Sequence, residues 1–516
     1  MLLLANTTEV SLGVTLLFSL LLVGLISCLA LEEKIHAKKS VIAGSFAVVC
    51  LLLGAAFHIL PFGRVVVGSY QPANFEEVEG DYVEPDGDRV HVDVESISDQ
   101  SDPDTTTPSE SAHEAHQAHH ALHVDGHEVS MPVYIPAIDW GVIAIILGSS
   151  LFVDITSRSG LFTWIAIRVT KLSKGDPLLL LIAYAIMTVV FSAVLNNVTA
   201  MIIVGSLTAV SLSRLARKEL LLGFLLIEGL LTNVGGLLTL ISSVPNIIVG
   251  TAANISFVTF FLRAAPYVVV ATMATLVMGA WVFKVRRLST EAEKQEALQL
   301  VAGFDENDGI QSVMFFRFGA IMLGLFIAVI ATTSVLPLIS DLEMGFVALA
   351  FAAVMLWRYK SDVDQFYKAV DWDLLGFFMA LFVVINVMEH AKVLDLIGVG
   401  VAKIIDWGDI GGTATVLISA AGFSSVTDNI PLAAMLAKIL SSLGTPDSSA
   451  LWWSVIFGAN LGGNITPIGS ASTLVAVTII HKNELEMSFG KFVKIAAPFA
   501  LLHLALATAY VLLFLR

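Results

Sequence analysis

The sequence predicts an all-α polytopic membrane protein with two inverted-topology repeats, re-entrant hairpins, broken helices and roughly 10–13 membrane segments. Three observations predict this fold. The 516 residues are 56% hydrophobic and 14% charged, and their mean hydropathy is +0.83. Several apolar runs are long enough to cross a bilayer as helices. Polar landmarks inside these runs recur at a constant spacing, which indicates an internal duplication.

Residues 1–62 are predicted to form an N-terminal transmembrane helical pair. The first run, residues 10–31, is long for the apolar part of a signal peptide and has no basic stretch before it, so we interpret it as a retained helix. Lysines between the two runs favour a cytoplasmic turn. Cys28 and Cys50 both lie in this pair and give no information about the redox compartment.

Residues 63–134 form an acidic, His-rich insert with few bulky apolar side chains, so it is predicted to be largely disordered and extracytoplasmic. Five imidazoles within it are spaced by three and four residues, which would align them along one face of a helix. This stripe could bind Zn²⁺, Ni²⁺ or Cu²⁺, or respond to pH; a solvated linker is the alternative. The five residues are His113, His116, His120, His123 and His127.

The remaining chain divides into repeat 1 (135–287), a connector (288–312), a linking helical pair (313–370) and repeat 2 (371–516). Three pairs of landmarks share one offset of 232 residues: Asp139-Trp140 with Asp371-Trp372, Asn196-Asn197 with Asp428-Asn429, and the Ala-Ala-Pro runs that end at Pro266 and Pro498. A fourth pair, Asn233-Val-Gly-Gly236 and Asn460-Leu-Gly-Gly463, matches with a small length shift. Internal repeats of this kind are a hallmark of secondary transporters.

Charges around the repeated elements predict opposite orientations for the two repeats. The first element is flanked by basic residues on both sides, whereas the flanks of the second are mainly acidic. Since basic loops favour the cytoplasm, we expect the first hairpin to enter the membrane from inside and the second from outside. The connector is then cytoplasmic.

The polar elements supply the candidate site. A carboxylate within an apolar run is costly and usually functional, so Asp428 is the first-choice ion-binding group. Glycine pairs followed by proline predict helix breaks, whose free backbone groups can bind ions; close helix packing is the alternative. The candidate substrate- and ion-binding residues are Asn196, Asn197, Thr199, Asn233, Gly235, Gly236, Asn246, Thr427, Asp428, Asn429, Asn460, Gly462, Gly463 and Asn464.

Three further carboxylates are candidates for proton coupling: Asp154, Glu228 and Glu389. Glu228 precedes Thr232 by about one helical turn and could face the same cavity. Asp154 beside Arg158, and Glu389 beside His390, could instead lie at helix ends near the membrane surface.

Other functional classes fit the sequence poorly. It has no nucleotide-binding Gly-rich motif and no intramembrane catalytic grouping, so neither an ATP-driven pump nor an enzyme is predicted. The net charge of −16 argues against nucleic acid as a partner. The expected partners are the lipid bilayer and a small ion or anion. The sequence does not decide whether the protein forms a homodimer. No cofactor is expected beyond Na⁺ or H⁺ as coupling ion.

The repeated motifs resemble those of the ion transporter superfamily, which includes arsenite permeases, NhaD-type sodium–proton antiporters, citrate transporters and the P protein branch. The resemblance covers about residues 135–516 and rests on residues 195–201, 232–236, 427–431 and 460–464. It implies a central site at hairpin tips and broken helices, worked by alternating access. This chain has Asn196 where the P protein branch has aspartate, and Ser243 where that branch has another aspartate.

The predicted function is secondary active ion transport in the cell (inner) membrane, by cation–proton exchange with Na⁺ as the simplest cation. Coupled transport of a small anion, such as a citrate-like carboxylate or arsenite, is the alternative. A metal-responsive membrane sensor is a third hypothesis, although a sensor needs no duplicated site.

Overall fold

A computed structural model describes residues 10–60, 64–66, 81–83, 89–91, 128–130, 132–333, 336, 339–427 and 429–515. The chain divides into two units, Met1–Leu60 with Ala137–Arg516 and, separately, Pro61–Pro136. The first unit contains the helices of both repeats.

The described part of the chain contains 21 α-helices. Their bounds are α1 Leu12–Ala30, α2 Glu32–Ile35, α3 Lys39–Ala56, α4 Trp140–Arg158, α5 Leu161–Leu172, α6 Pro177–Val194, α7 Asn197–Arg214, α8 Leu221–Gly235, α9 Val244–Ala252, α10 Phe257–Val282, α11 Glu291–Ala302, α12 Val313–Thr332, α13 Ile339–Arg358, α14 Val363–Ala369, α15 Trp372–His390, α16 Val393–Ile405, α17 Gly408–Ser424, α18 Asn429–Ser442, α19 Ala450–Gly462, α20 Ala471–Lys482 and α21 Phe489–Phe514.

Nine helices in the described part of the chain are long and apolar enough to cross a membrane, or ten if a pair bent by 92° after Arg358 counts as one span. Three shorter apolar helices, α18, α19 and α20, lie in repeat 2. The predicted all-α membrane fold is therefore confirmed, and the count of long apolar helices reaches the lower end of the predicted 10–13 segments only when the bent pair is included.

The helices confirm the internal duplication. Helices α4 to α10 and α15 to α21 follow the same order, and the last helix of each series has 26 residues with one internal proline, Pro266 or Pro498. Each repeat contains a helical hairpin (α6–α7 or α17–α18) followed by a broken helix (α8–α9 or α19–α20).

The two equivalent long helices, α10 and α21, run antiparallel. Tyr510 Oη donates to the carbonyl of Arg263, Tyr267 Oη donates to the carbonyl of His503, and a Cβ built on Gly279 would lie 4.0 Å from Phe499. As residue numbers rise along α10 they fall along α21. Because these helices occupy the same position in their repeats, the repeats have opposite orientations, as the loop charges predicted.

The repeats exchange the helices that follow their breaks. Helix α9 of repeat 1 packs against α18 and α19 of repeat 2, and α20 of repeat 2 packs against α7 and α8 of repeat 1. Each broken helix therefore has one half buried in its own repeat and one half in the other. This exchange places both breaks at the interface between the repeats.

Two helical pairs brace the repeats from outside. Helix α13 packs along α4, where a Cβ on Gly148 would lie 2.5 Å from the backbone carbonyl carbon of Ala348, so this glycine permits direct backbone contact. Helix α3 packs along α15, and Asp373 accepts a hydrogen bond from the Ser40 amide. The N-terminal pair is thus integrated with repeat 2, a closer association than its separation in sequence indicated.

The connector contains α11 and packs on repeat 1. Glu306 pairs with Lys171 and Arg168, and the Arg214 guanidinium lies 4.9 Å from the centre of the Phe304 ring. A Cβ on Gly175, whose φ is +74°, would lie 2.9 Å from the Ala297 Cβ. The connector therefore contacts the end of α5, which precedes the first hairpin, and the end of α7, which completes it.

In the second unit, the structure describes four short strands. Residues Arg64–Val66 pair antiparallel with Glu128–Ser130, and Asp81–Val83 pair antiparallel with Arg89–His91. These strands add local order that the composition did not predict. The five candidate metal-binding histidines lie outside the described residues.

Candidate functional site

In repeat 1 the hairpin tip packs directly on the helix break. Ser192 Oγ, at the end of α6, donates a 2.6 Å hydrogen bond to the carbonyl of Thr232 near the end of α8. Thr239 Oγ1, beyond the break, donates to the Ala193 carbonyl at 2.5 Å. Hydroxyl groups therefore satisfy backbone carbonyls at both sides of the contact, as non-helical backbone within a membrane requires.

Repeat 2 forms the equivalent contact. Ser424 Oγ, at the end of α17, donates to the Ala459 carbonyl in α19 at 2.5 Å. Thr466 Oγ1, within the second break, donates to the Ser425 carbonyl, also at 2.5 Å. Both hairpin tips are thus fixed to the breaks by serine and threonine hydroxyls, which the predicted site list did not include.

The predicted glycines allow this close approach. A Cβ on Gly235 would lie 2.7 Å from the Cα of Val189, and a Cβ on Gly462 would lie 2.3 Å from the Ala421 carbonyl oxygen. Real Cβ atoms do not come this close to backbone. Gly236 and Gly463 are also crowded, by the Asn197 side chain and the Gly469 carbonyl respectively. The glycine pairs are therefore required for hairpin packing as well as for the breaks.

At the interface, five polar side chains form what we term the Asn233 cluster. Asn233 Oδ1 accepts hydrogen bonds from Ser470 Oγ at 2.9 Å, Ser472 Oγ at 3.2 Å and Asn197 Nδ2 at 3.4 Å. Asn233 Nδ2 donates to Asn464 Oδ1 at 2.8 Å. Repeat 1 contributes Asn197 and Asn233, and repeat 2 contributes the others, so the cluster exists only when the repeats are assembled.

A second group, centred on Asn460, lies at the other break. Ser243 Oγ donates to Asn460 Oδ1 at 2.7 Å, and Asn460 Nδ2 donates to Asn246 Oδ1 at 2.9 Å. Asn246 Nδ2 in turn donates to the carbonyls of Gly236 and Thr239. The predicted residues Asn246 and Asn460 therefore bond to each other and hold the first break in shape.

Sequence reasoning missed His503, which is fully buried in α21. Its Nε2 lies 2.6 Å from Thr275 Oγ1, and its Nδ1 lies 3.4 Å from Asn464 Nδ2. His503 thus contacts the Asn233 cluster through Asn464. One signal was available, because the repeat-1 position equivalent to His503 is Ala271, so this imidazole breaks the repeat pattern in an apolar helix.

Glu228 is fully buried in α8. Its Oε1 accepts a 2.6 Å hydrogen bond from Thr208 Oγ1 in α7, and its Oε2 has no hydrogen-bond partner. Further hydrogen bonds join Tyr184 to Ser211 and Thr170. Glu228 therefore faces α7 rather than the Asn233 cluster, and its free oxygen is unusual for a buried polar atom.

Several predicted residues make local contacts and do not join the cluster. Asn196 caps α7 by accepting from the Thr199 amide at 2.8 Å, and Thr427 Oγ1 donates to the Phe423 carbonyl. Asn429 begins α18. Asp428, the first-choice carboxylate, lies outside the described residues.

The other two candidate carboxylates form ion pairs away from the cluster. Asp154 pairs with Arg158 at 3.0 Å within α4, and both side chains are more than a third exposed. Glu389 pairs with Lys438 of α18 at 3.1 Å. These contacts match the helix-end interpretation. Among the side chains that the structure describes, no group of three or more His, Cys, Asp or Glu could hold a metal ion.

Chemically, the cluster is rich in neutral oxygen atoms. Amide carbonyl and hydroxyl oxygens are ligands for hard cations such as Na⁺. The same amides and hydroxyls can also donate hydrogen bonds to an anion. Such groups from both repeats, at the ends of broken helices, resemble the binding sites of secondary transporters, which lie near the membrane midplane.

Comparison with known proteins agrees with this arrangement. The citrate transporter family model matches residues 120–458. The chain belongs to the citrate transporter family. An uncharacterized transporter of Mycobacterium tuberculosis is 28% identical over 380 residues, which cover 72% of this chain and 86% of the relative. The human P protein is 24% identical over 471 residues, covering 76% of this chain and 55% of that protein.

Among solved structures, the YdaH transporter of Alcanivorax borkumensis, described as having an unusual topology, matches with a TM-score of 0.54. The match covers 97% of this chain and 98% of that chain at 12% identity, so it supports the fold alone. Family, relatives and apolar helices together confirm a multi-pass membrane transporter rather than an enzyme. Its bacterial relatives agree with a location in the cell membrane.

Proposed function

We propose that this transporter exchanges a small cation, with Na⁺ as the first candidate, for protons by alternating access. The observation that supports the proposal is the Asn233 cluster, in which one amide oxygen, Asn233 Oδ1, is surrounded by Ser470, Ser472 and Asn197 from both repeats. A bound cation would take the place of the hydrogens that these side chains donate to Asn233 Oδ1. The amide and hydroxyl oxygens of the cluster would then be its ligands. Because the ligands come from both repeats, occupancy would stabilise one arrangement of the repeats over another.

Proton coupling is assigned to a membrane carboxylate. Glu228 supports this role because it is buried and one of its oxygens has no partner, so it can bind a proton without breaking an existing bond. Asp428 stays the first choice from the sequence for the cation or proton. Asp154 and Glu389 are weaker candidates because each is engaged in an ion pair.

The second candidate is coupled transport of a small anion. The family description, citrate transporter, favours it. The amide and hydroxyl donors of the Asn233 cluster would then hydrogen-bond carboxylate oxygens, with Na⁺ or H⁺ moving alongside. Both candidates use one site, and they differ in whether an anion must be present for protons to move. Relatives named as transporters favour either candidate over a metal-responsive sensor.

Reconstitution tests the proposal. Purified protein in liposomes that contain a pH-sensitive dye is exposed in turn to Na⁺, Li⁺, K⁺, citrate and arsenite. Proton movement on addition of Na⁺ alone supports exchange. Movement only when citrate or arsenite is present overturns exchange in favour of anion transport. Absence of proton movement with every solute overturns exchange and proton-coupled anion transport.

A further inference from the structure

The buried imidazole of His503 has no part in the exchange described above, although it contacts the Asn233 cluster. We infer that His503 is a positioning residue: with the Leu230 carbonyl it holds the Asn464 amide, and through it the Asn233 amide, in the direction in which the Asn233 carbonyl oxygen points to Ser470 and Ser472 and the site accepts a cation. This inference rests on the proposed cation site. The site then presents an oxygen to the cation because of His503, although His503 does not itself bind the ion.

The direction of the amides follows from donor counting, starting at a backbone group. Asn464 Nδ2 donates to the Leu230 carbonyl at 3.1 Å, and a carbonyl can only accept. Asn464 Oδ1 therefore faces Asn233 and accepts from Asn233 Nδ2. Asn233 Oδ1 must then face the opposite way, toward the serines.

The second hydrogen of the Asn464 amide points to His503 Nδ1, 3.4 Å away. That nitrogen must be unprotonated to accept it. The proton of the neutral imidazole is then on Nε2, where Thr275 Oγ1 accepts it at 2.6 Å. Thr275 is able to accept because its own hydrogen goes to the Ala271 carbonyl at 2.7 Å. Two backbone carbonyls, at Leu230 and Ala271, thus fix the direction of the whole chain of hydrogen bonds.

The other imidazole tautomer would direct an N–H group at the Asn464 amide. Relief of that donor–donor contact by rotation of Asn464 would turn the Asn233 amide as well, and would present Nδ2 to Ser470 and Ser472. The cation site would then present the N–H groups of Asn233 at the position where a cation requires an oxygen ligand. His503 and Thr275 act with the Leu230 carbonyl to prevent this inversion.

Two substitutions at one position separate positioning from packing. In His503→Asn, the side-chain oxygen can occupy the place of Nδ1 and accept from Asn464. In His503→Gln, the amide reaches the place of Nε2 near Thr275 and leaves Asn464 without its acceptor. Glutamine matches the imidazole in size more closely than asparagine, so a packing role alone favours His503→Gln.

The measurement is the Na⁺ concentration that gives half-maximal proton movement in proteoliposomes. We expect His503→Asn to stay within about twofold of wild type and His503→Gln to raise the half-saturating concentration about fivefold or more, since a buried donor loses its partner. The reverse order, or equal values in both variants, overturns the inference. Absence of Na⁺-driven movement in wild type overturns the proposed function and the inference with it.

Thr275 provides a second test if the His503 variants fail to fold. Thr275→Val keeps the shape of the side chain and removes the acceptor that selects the tautomer, whereas Thr275→Ser keeps the hydroxyl. We expect Thr275→Val to raise the half-saturating Na⁺ concentration about fivefold and Thr275→Ser to leave it within about twofold. A normal value in Thr275→Val contradicts tautomer selection.

Discussion

Ser243 Oγ donates a 2.7 Å hydrogen bond to Asn460 Oδ1, which joins the first helix break to the second repeat. Its counterpart is the bond from Ser470 to Asn233, which joins the second break to the first repeat. The two bonds are related by the internal symmetry, but their surroundings differ. Asn233 Oδ1 accepts hydrogen bonds from three donors. Asn460 Oδ1 accepts, among the described residues, from Ser243.

This difference predicts unequal losses of stability. Ser243→Ala leaves a buried amide oxygen without its donor, so the free energy of unfolding should fall by ~1–3 kcal/mol. Ser472→Ala should cost less stability because Ser470 and Asn197 still donate to Asn233, yet it should weaken Na⁺ activation. Thermal unfolding of the purified proteins and proteoliposome flux measure the two effects. Equal losses of stability would contradict the assigned surroundings.

Removing the charge of Glu228 should uncouple protons from the cation. Glu228→Gln keeps the side-chain volume and an oxygen for Thr208, so the protein should fold, while Na⁺-driven proton movement should fall about 100-fold or more, the range of a lost proton-transfer group. Thr208→Val is the matched control, because it removes the hydrogen bond and keeps the carboxyl. Full coupling in Glu228→Gln would exclude Glu228 as the proton site.

Asp428 remains the strongest prediction of the sequence. Asp428→Asn should abolish coupled flux and leave expression intact, because it removes charge while keeping size. Asn196→Ala, at the matching position of repeat 1, is the comparison: it removes a helix cap and should lower stability by ~1 kcal/mol while transport persists. Normal flux in Asp428→Asn would remove Asp428 from the site.

Glycine at the hairpin contact should be irreplaceable. Gly462→Ala places a methyl group 2.3 Å from a backbone oxygen of α17, so the hairpin must move away from the break, and both flux and thermal stability should drop sharply. Gly422→Ala, one residue beyond Ala421 in the same hairpin helix, has nothing within 4 Å of the new methyl group and serves as control. Equal behaviour of the two variants would show that the hairpin does not pack closely on α19.

Acid should loosen the connector through Glu306. The hydrogen bond from Lys171 and the nearby Arg168 hold the pKa of Glu306 below its usual value. A carboxyl with a lowered pKa stabilises the folded contact above its ordinary pKa of about 4.3, and that stabilisation is lost as pH falls through the lowered value.

Hydrogen exchange of α11 measures this effect. Protection of Glu291–Ala302 should fall in wild type on acidification through this range, relative to Glu306→Gln at the same pH. In Glu306→Gln the protection should already be reduced at neutral pH. A parallel decrease in both proteins would rule out the carboxyl as the cause.

The sequence was sufficient for the repeats, the breaks and most of the cluster, because glycine pairs, prolines and amides in apolar runs are local signals. It was insufficient where the direction of a side chain around its helix decides which groups that side chain contacts. Glu228 and Asn233 are five residues apart, which turns their side chains about 140° from each other around α8, so Glu228 faces Thr208 instead of the cluster. His503 was missed because a single histidine in an apolar helix carries no periodic signal, and its mismatch with Ala271 shows only when the two repeats are aligned residue by residue.

The exchange of helices between repeats has a consequence for biosynthesis. Asn233 is synthesised 237 residues before Ser470, an interval of roughly 12–47 s at about 5–20 residues per second. During that time the amides of the first break have entered the membrane without the second repeat. Nascent repeat 1 therefore needs temporary partners for these groups, such as water, lipid headgroups or an insertion chaperone, until translation of the second half is complete.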